Sequence, residues 1–212
     1  HDILPGSSIK EVYDDSKEEY EAILRAGREY TDGKLAGLAK CINAPTHSLV
    51  VYNPNSMSAE DVVSFQCPDE IRYPAVKAGE EILPVQKKAD GTWMFTAKEV
   101  PSKGYRTFLL EEGEEKCEDH IQVSESHMEN AFFSIDLNEK GQFISIYDKR
   151  AARELLPEGK AANVLMSYED RPHNYDAWDL NNYYTEKSWE IDDVEEIRAE
   201  ECGPVRGCLK IT

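Results

Sequence analysis

The hydrophobic period of this chain changes once, at Asn43-Ala44-Pro45, and that change limits what it can fold into. Before it, Tyr20, Ile23, Leu24, Leu35, Leu38 and Ile42 recur at roughly 3.6 residues, with Gly27 in the same stripe, which predicts helix from Ser8 to about residue 43. Ser8 with Glu11, and Ser16 with Glu19, have the spacing of capping boxes. Gly27, Gly33 and Gly37 weaken the stripe and leave room for a break near Thr31-Asp32-Gly33. A lone helix cannot bury its own stripe in water, and the sequence offers no second helical stretch. Partner helices are therefore expected upstream of His1.

After Pro45 the pattern is that of strands. Ser48–Tyr52, Val62–Gln66, Trp93–Ala97 and Tyr105–Leu110 are expected strands, punctuated by Pro54, Pro68, Gly79, Pro84, Gly91, Pro101 and Gly104. Glu111–Asp119 reads as an exposed acidic connector. Asn130–Leu137 and Phe143–Tyr147, joined by Asn138-Glu139-Lys140-Gly141, have a hairpin signature. Further strands are expected at Asn163–Tyr168, over Ser188–Glu201, and from Pro204 to Thr212, where a strand stops without a turn, as at a cut end. The expected organisation is a helical segment over 1–45, a small β domain over 46–125 and a second β domain over 126–212. The fold class is mainly β with an N-terminal helical segment.

Charge narrows the partners. Forty-two acidic against 24 basic residues give a formal charge of -18, which repels phosphate backbones and anionic lipid. Nucleic acid and membranes are therefore expected not to be partners. No run of about 18 apolar residues could span a bilayer, and no secretory leader pattern is present. The five cysteines, Cys41, Cys67, Cys117, Cys202 and Cys208, are odd in number, widely spaced and without C-x-x-C. They read as reduced, mostly buried thiols of a cytoplasmic protein.

Three blocks carry a resemblance. HDILPGSSIKEVYDDS at 1–16, VVYNPNSMSAEDVVSF at 50–65 and ISIYDKRAARELLPEGKAANVLMSYEDRPHNYDAWDLNNYY at 144–184 resemble, in that order, segments of family 38 glycoside hydrolases, the retaining α-mannosidases. The bacterial and cytosolic branch is the nearer in wording. The resemblance implies the end of a helical bundle, a small β domain and the start of a large, mutarotase-like β-sandwich. It also implies that the (β/α) catalytic domain, with its nucleophile and His-x-Asp metal pair, lies outside this chain, which itself has no His-x-Asp. Retention uses two carboxyls about 5–5.5 Å apart, and this chain is not expected to supply the nucleophile.

The site residues follow from the resemblance. His1 is implied as a ligand of a divalent metal, most simply Zn2+, with the other ligands from the missing domain. Asp2 is implied as a sugar-binding acid, although taken alone it reads equally as a cap or surface carboxylate. Asp176 and Asp179 flank Trp178, a grouping suited to sugar hydroxyls and C–H faces. Trp178 could equally be a core aromatic, and Asp179 a turn cap. Tyr147-Asp148-Lys149-Arg150 reads as a strand end devoted to packing and turn formation. His47, His120, His127 and His173 have no ligand-like company in the sequence. The expected partners are a mannose-containing oligosaccharide, the remainder of the chain's own polypeptide and, as an option, further copies of itself. The rival reading is a non-catalytic β-sandwich module that binds carbohydrate or protein.

Overall fold

The computed structural model describes residues 6, 8–114, 121–171, 173–174 and 180–212. In chain order it forms α1 (Lys10–Ala39), β1 (Ser48–Asn53), β2 (Ala59–Phe65), β3 (Pro74–Ala78), β4 (Glu81–Leu83), β5 (Val85–Lys87), β6 (Trp93–Val100) and β7 (Gly104–Glu112). There follow β8 (Gln122–Val123), β9 (His127–Glu129), β10 (Phe133–Leu137), β11 (Phe143–Asp148) and β12 (Arg153–Glu154). The last elements are β13 (Met166–Tyr168), a 3-10 turn (Asn182–Glu186), β14 (Ser188–Glu190), β15 (Ile197–Glu201) and β16 (Cys208–Ile211). Among the described residues the observed class is thus mainly β with one α-helix. The chain divides into two units: residues 1–43 with 165–191, and residues 44–164 with 192–212.

In the first unit, α1 runs unbroken through Ser16 and through Thr31-Asp32-Gly33. The expected capping boxes do not form, because Ile9 is the N-cap and no side chain caps it. The Ser8 N–H donates instead to the Tyr13 hydroxyl (3.3 Å). Once nucleated, each added residue gains a backbone hydrogen bond, and a helix of this length absorbs its glycines at about 1 kcal/mol each. No residue of α1 is buried. The same unit holds the antiparallel pair β13–β14, closed where the Ile191 N–H donates to the Leu165 carbonyl (2.9 Å).

The second unit contains a small two-sheet core. One sheet has the order β1-β7-β3-β4 and the other β2-β6-β5, all antiparallel. Phe65, Val76, Leu83, Phe95, Ala97, Val100, Phe108 and Leu110 form the core. Phe95 sits edge-on to both Phe65 (5.9 Å) and Phe108 (5.0 Å). Strict alternation along β6 from Phe95 and Ala97 would turn Glu99 inward. Glu99 instead takes a left-handed φ of 52°, the register with β2 slips between Ala59 and Asp61, and Val100 enters the core. The buried Asn53 side chain donates to the Met57 and Val100 carbonyls (2.8 and 3.0 Å) and accepts from the Asn55 N–H (2.9 Å). β3, β4 and β5 were not expected from the sequence; they are short and lie on either side of Gly79 and Pro84. The expected acidic connector begins inside β7. Glu111 pairs with Lys77, and the Glu112 carboxylate accepts from the Arg72 and Tyr73 N–H groups (2.8 and 3.0 Å).

A five-stranded antiparallel sheet, β12-β11-β10-β9-β8, follows, together with the pair β15–β16. The expected hairpin is present as β10–β11, with β8, β9 and β12 added to it. Its turn places Gly141 at a φ of 68°, and a Cβ there would meet Ile211 at 2.8 Å. Glycine therefore serves both the left-handed turn and the approach of β16. The stretch Ser188–Glu201, expected as one strand, is divided between β14 and β15, which belong to different sheets. Asp192 stands between them and pairs with Lys140 (2.6 Å).

One buried side chain ties β5 to the segment before β16. Gln86 Oε1 accepts from the Val205 and Arg206 N–H groups (3.1 and 2.9 Å), and its amide donates to the Arg206 carbonyl (2.9 Å). A Cβ on Gly203 would come within 2.5 Å of this side chain, so the approach requires glycine. Arg206 in turn forks onto Glu201 (2.6 and 2.7 Å), which holds that carboxyl below its ordinary range.

The thiols depart from expectation. Cys41 and Cys202 are exposed and Cys67 and Cys208 half-buried, all four free; Cys117 lies outside the described residues.

Candidate functional site

The residues singled out from the sequence, His1, Asp2, Asp176 and Asp179, with Tyr175 and Trp178, lie outside the described residues. Their described neighbours give the local frame. Gly6 takes a left-handed φ of 78° between His1-Asp2 and the start of α1. Tyr183 and Tyr184 belong to the 3-10 turn; Tyr183 is exposed and the Tyr184 ring packs edge-on to Tyr168 (5.5 Å). His47 adopts a left-handed φ of 60° and lies 3.9 Å from Glu70, while His173 is exposed. His120 lies outside the described residues.

Among the described residues, the largest grouping of charged side chains around a histidine lies on one face of the five-stranded sheet. Antiparallel register sets Asp136 opposite both His127 and Ser145, Ser134 opposite both Glu129 and Tyr147, and Tyr147 opposite Glu154. Because side chains alternate along a strand, these seven residues share a face, and Val123, Met128, Ile135 and Ile146 occupy the other. The polar face is knitted together. His127 Nδ1 lies 2.7 Å from Asp136 Oδ1, and its Nε2 lies 3.0 Å from Glu129 Oε2. Lys149, beyond the end of β11, donates to Glu129 Oε1 (2.5 Å) and to the Asn130 carbonyl (2.7 Å). Glu154 accepts from the Ser145 hydroxyl (2.6 Å) and from the N–H groups of Ile146, Leu155 and Leu156.

The electrostatics follow from these bonds. The Asp136 carboxylate, with Glu129 second, pushes the His127 imidazole above its ordinary value. The Lys149 ammonium, then His127, pulls Glu129 down. The Ser145 hydroxyl and three backbone N–H groups pull Glu154 down to about 2. Glu129 and Glu154 are therefore ionised at neutral pH, whereas glycoside hydrolysis needs a carboxyl that keeps its proton to protonate the leaving group. Both His127 nitrogens are occupied, so the ring is no free base or metal donor. The expectation that His127 has no ligand-like company agrees with this, since its two carboxylate partners satisfy the ring and no metal-type donor set converges among the described residues. The sequence signal was His127-x-Glu129, visible as one face only once β9 is recognised as a strand opposite Asp136. Tyr147–Arg150 also does more than turn the chain. Asp148 accepts from the Arg150 and Ala151 N–H groups (2.9 and 3.0 Å), Lys149 anchors Glu129, and Arg150 stacks over Phe132 (4.8 Å).

An open groove of about 500 Å³ lies between the β8–β9 turn, the β10–β11 turn and residues 194–197. Glu125, Glu139, Glu195 and Glu196 line it together with the apolar Leu137, Val194 and Ile197. Among the described residues, no three His, Cys, Asp or Glu side chains converge as a metal centre requires. Nor is any helix among them long and apolar enough to cross a membrane.

Residues 128–212 match the family described as glycosyl hydrolases family 38 C-terminal domain. The chain is 24% identical over 194 residues to human alpha-mannosidase 2C1, an alignment covering 88% of this chain and 16% of that protein. It therefore spans about one sixth of the relative's length. The fold resembles that of an alpha-mannosidase from Enterococcus faecalis V583, at 16% identity and a TM-score of 0.66 over 97% of this chain and 28% of the other. It also resembles a family 38 protein from Enterococcus faecalis, at 18% identity and a TM-score of 0.69 over 100% of this chain and 30% of the other. The two solved structures bear on the fold alone, and the similarity to the family 38 C-terminal domain is carried by residues 128–212, from β9 to β16.

Proposed function

We propose that this chain is the non-nucleophilic part of a metal-dependent, retaining α-mannosidase that acts on mannose-containing oligosaccharides. The observation that carries the reading is the family 38 match over residues 128–212, joined to a relative named as an alpha-mannosidase. In this reading the nucleophile resides in a catalytic domain elsewhere in the polypeptide, and the β domains wall the sugar site. His1 supplies one imidazole to a divalent metal, most simply zinc. The described residues do not themselves fit such a metal, since no set of three donors converges among them. Its remaining ligands then belong to other parts of the full-length protein. Asp2, Asp176 and Asp179 accept hydrogen bonds from sugar hydroxyls. The enzyme works in the cytoplasm, and the 212-residue chain alone is inactive. Its uncovered helix favours self-association.

The test is hydrolysis of a nitrophenyl α-mannoside by the complete gene product, with and without chelator, beside His1→Ala. The reading expects chelator-sensitive turnover that His1→Ala abolishes. A well-folded full-length protein that turns over no α-mannoside overturns it and favours a carbohydrate- or protein-binding module.

A further inference from the structure

We infer that His127 is a proton-operated fastener of the five-stranded sheet, joining β9 to β10 in its charged form and freeing Glu129 when its proton leaves. Both ring nitrogens face carboxylate oxygens, Nδ1 toward Asp136 at 2.7 Å and Nε2 toward Glu129 at 3.0 Å. An ionised carboxylate only accepts, and a neutral imidazole has one N–H to give. The imidazolium alone satisfies both contacts at once.

The surroundings decide which contact yields. Asp136, on β10, is the shorter and cross-strand partner. Glu129, two residues along β9, has a second cation in Lys149, which also holds the Asn130 carbonyl. From β11 the same face carries Ser145, opposite Asp136, whose hydroxyl is committed to Glu154 of β12, and Tyr147, opposite Ser134. Among the described residues, Glu129 and Asp136 are thus the acids in contact with the ring, and Lys149 is the cation that pairs with Glu129. Deprotonation therefore keeps Nδ1–H on Asp136 and turns the Nε2 lone pair against Glu129, which swings to Lys149. The direction agrees with the imidazole's displacement above 6.5. A raised folded-state value means that the stabilisation is complete below the unfolded value and is lost as pH rises through the folded one.

The test joins two readouts on the intact chain. Imidazole nitrogen NMR reports the protonation of His127 directly. Amide exchange of residues 127–129 and 134–136, corrected for intrinsic rates, reports the fastener. Wild type should show both ring nitrogens protonated at pH 6.5. Its protection should fall about two- to fivefold as the ring titrates, the size of a partly exposed ion pair. His127→Gln should abolish that pH step, and Glu129→Gln should lower the titration midpoint. A neutral His127 ring at pH 6.5, or an unchanged pH step in His127→Gln, overturns the inference. The wild-type NMR titration decides the matter even where a variant folds poorly.

Discussion

Helix α1 and strand β6 are opposite solutions to holding a segment in place. α1 spends 30 residues without burying one, whereas β6 buries Met94, Phe95, Ala97 and Val100 within eight. The helix satisfies its backbone internally and leaves Tyr20, Ile23, Leu24 and Tyr30 exposed. The strand satisfies its backbone through β2 and β5 and is held by the core that its side chains fill. Regular backbone structure and tertiary stability are thus separable in this molecule. The first follows from local hydrogen bonding and the second from area removed from water.

Phe95→Ala should sharpen this contrast most. Removing a fully buried ring between Phe65 and Phe108 should cost about 3–5 kcal/mol in denaturant unfolding. Ile23→Ala, at 65% exposure, should change stability by less than about 0.5 kcal/mol. Equal losses at the two positions would break the contrast.

The next largest effect belongs to the tie between distant segments. Gln86→Leu keeps the volume but leaves the Val205 and Arg206 N–H groups without their acceptor, at a cost of about 1–3 kcal/mol. Exchange at Val205 and Arg206 should rise with it. A variant that loses stability without faster exchange there would place the effect in β5 alone.

A smaller, pH-dependent effect comes from Glu154, whose carboxyl is lowered from 4.5 to about 2 by Ser145 and the 146, 155 and 156 N–H groups. For a lowered carboxyl the stabilisation is present above the unfolded value and lost as pH falls through the folded one. Urea midpoints should therefore decline between about pH 4.5 and 2, and Glu154→Gln should flatten that decline. A variant with an undiminished slope would assign the acid sensitivity to other groups, Asp90 among them, which is lowered to about 2 chiefly by Thr92.

The least disruptive test concerns reactivity alone. Burial, then Glu112, Asp69 and Glu70, raise the Cys67 thiol, whose Sγ lies 3.4 Å from the Ile71 carbonyl. Exposed Cys41 and Cys202 should be alkylated at pH 8 well before Cys67, as followed by mass spectrometry of peptides. Cys67 reacting first would mean that the edge of the core opens.

What the sequence disclosed depended on the range of the signal. The 3.6-residue stripe and the Asn138–Gly141 turn are local, and both α1 and the β10–β11 hairpin appear where local pattern placed them. Three-residue strands such as β4, β5 and β9 carry too little period to be seen, and β9 bears His127. The division of Ser188–Glu201 was hidden for a related reason. Its acidic-apolar alternation is continuous, yet Asp192 is recruited by Lys140 and the chain changes sheets there. The family resemblance was legible because long blocks of wording carry it, while the chemistry expected of His1, Asp2, Asp176 and Asp179 depends on groups that no local pattern records.

The Gln86 clamp has a consequence for the order of events during synthesis. Its contacts span 119 and 120 positions, whereas every strand pairing around the two-sheet core is complete by Glu112. The core can therefore fold while residues 203–206 are still inside the ribosome, leaving the Gln86 amide waiting for partners 119 and 120 residues behind. The Gln86 contact is thus completed after the core on which it depends. A misfolded sandwich would misplace Gln86, and the turn at Gly203 would find nothing to close upon.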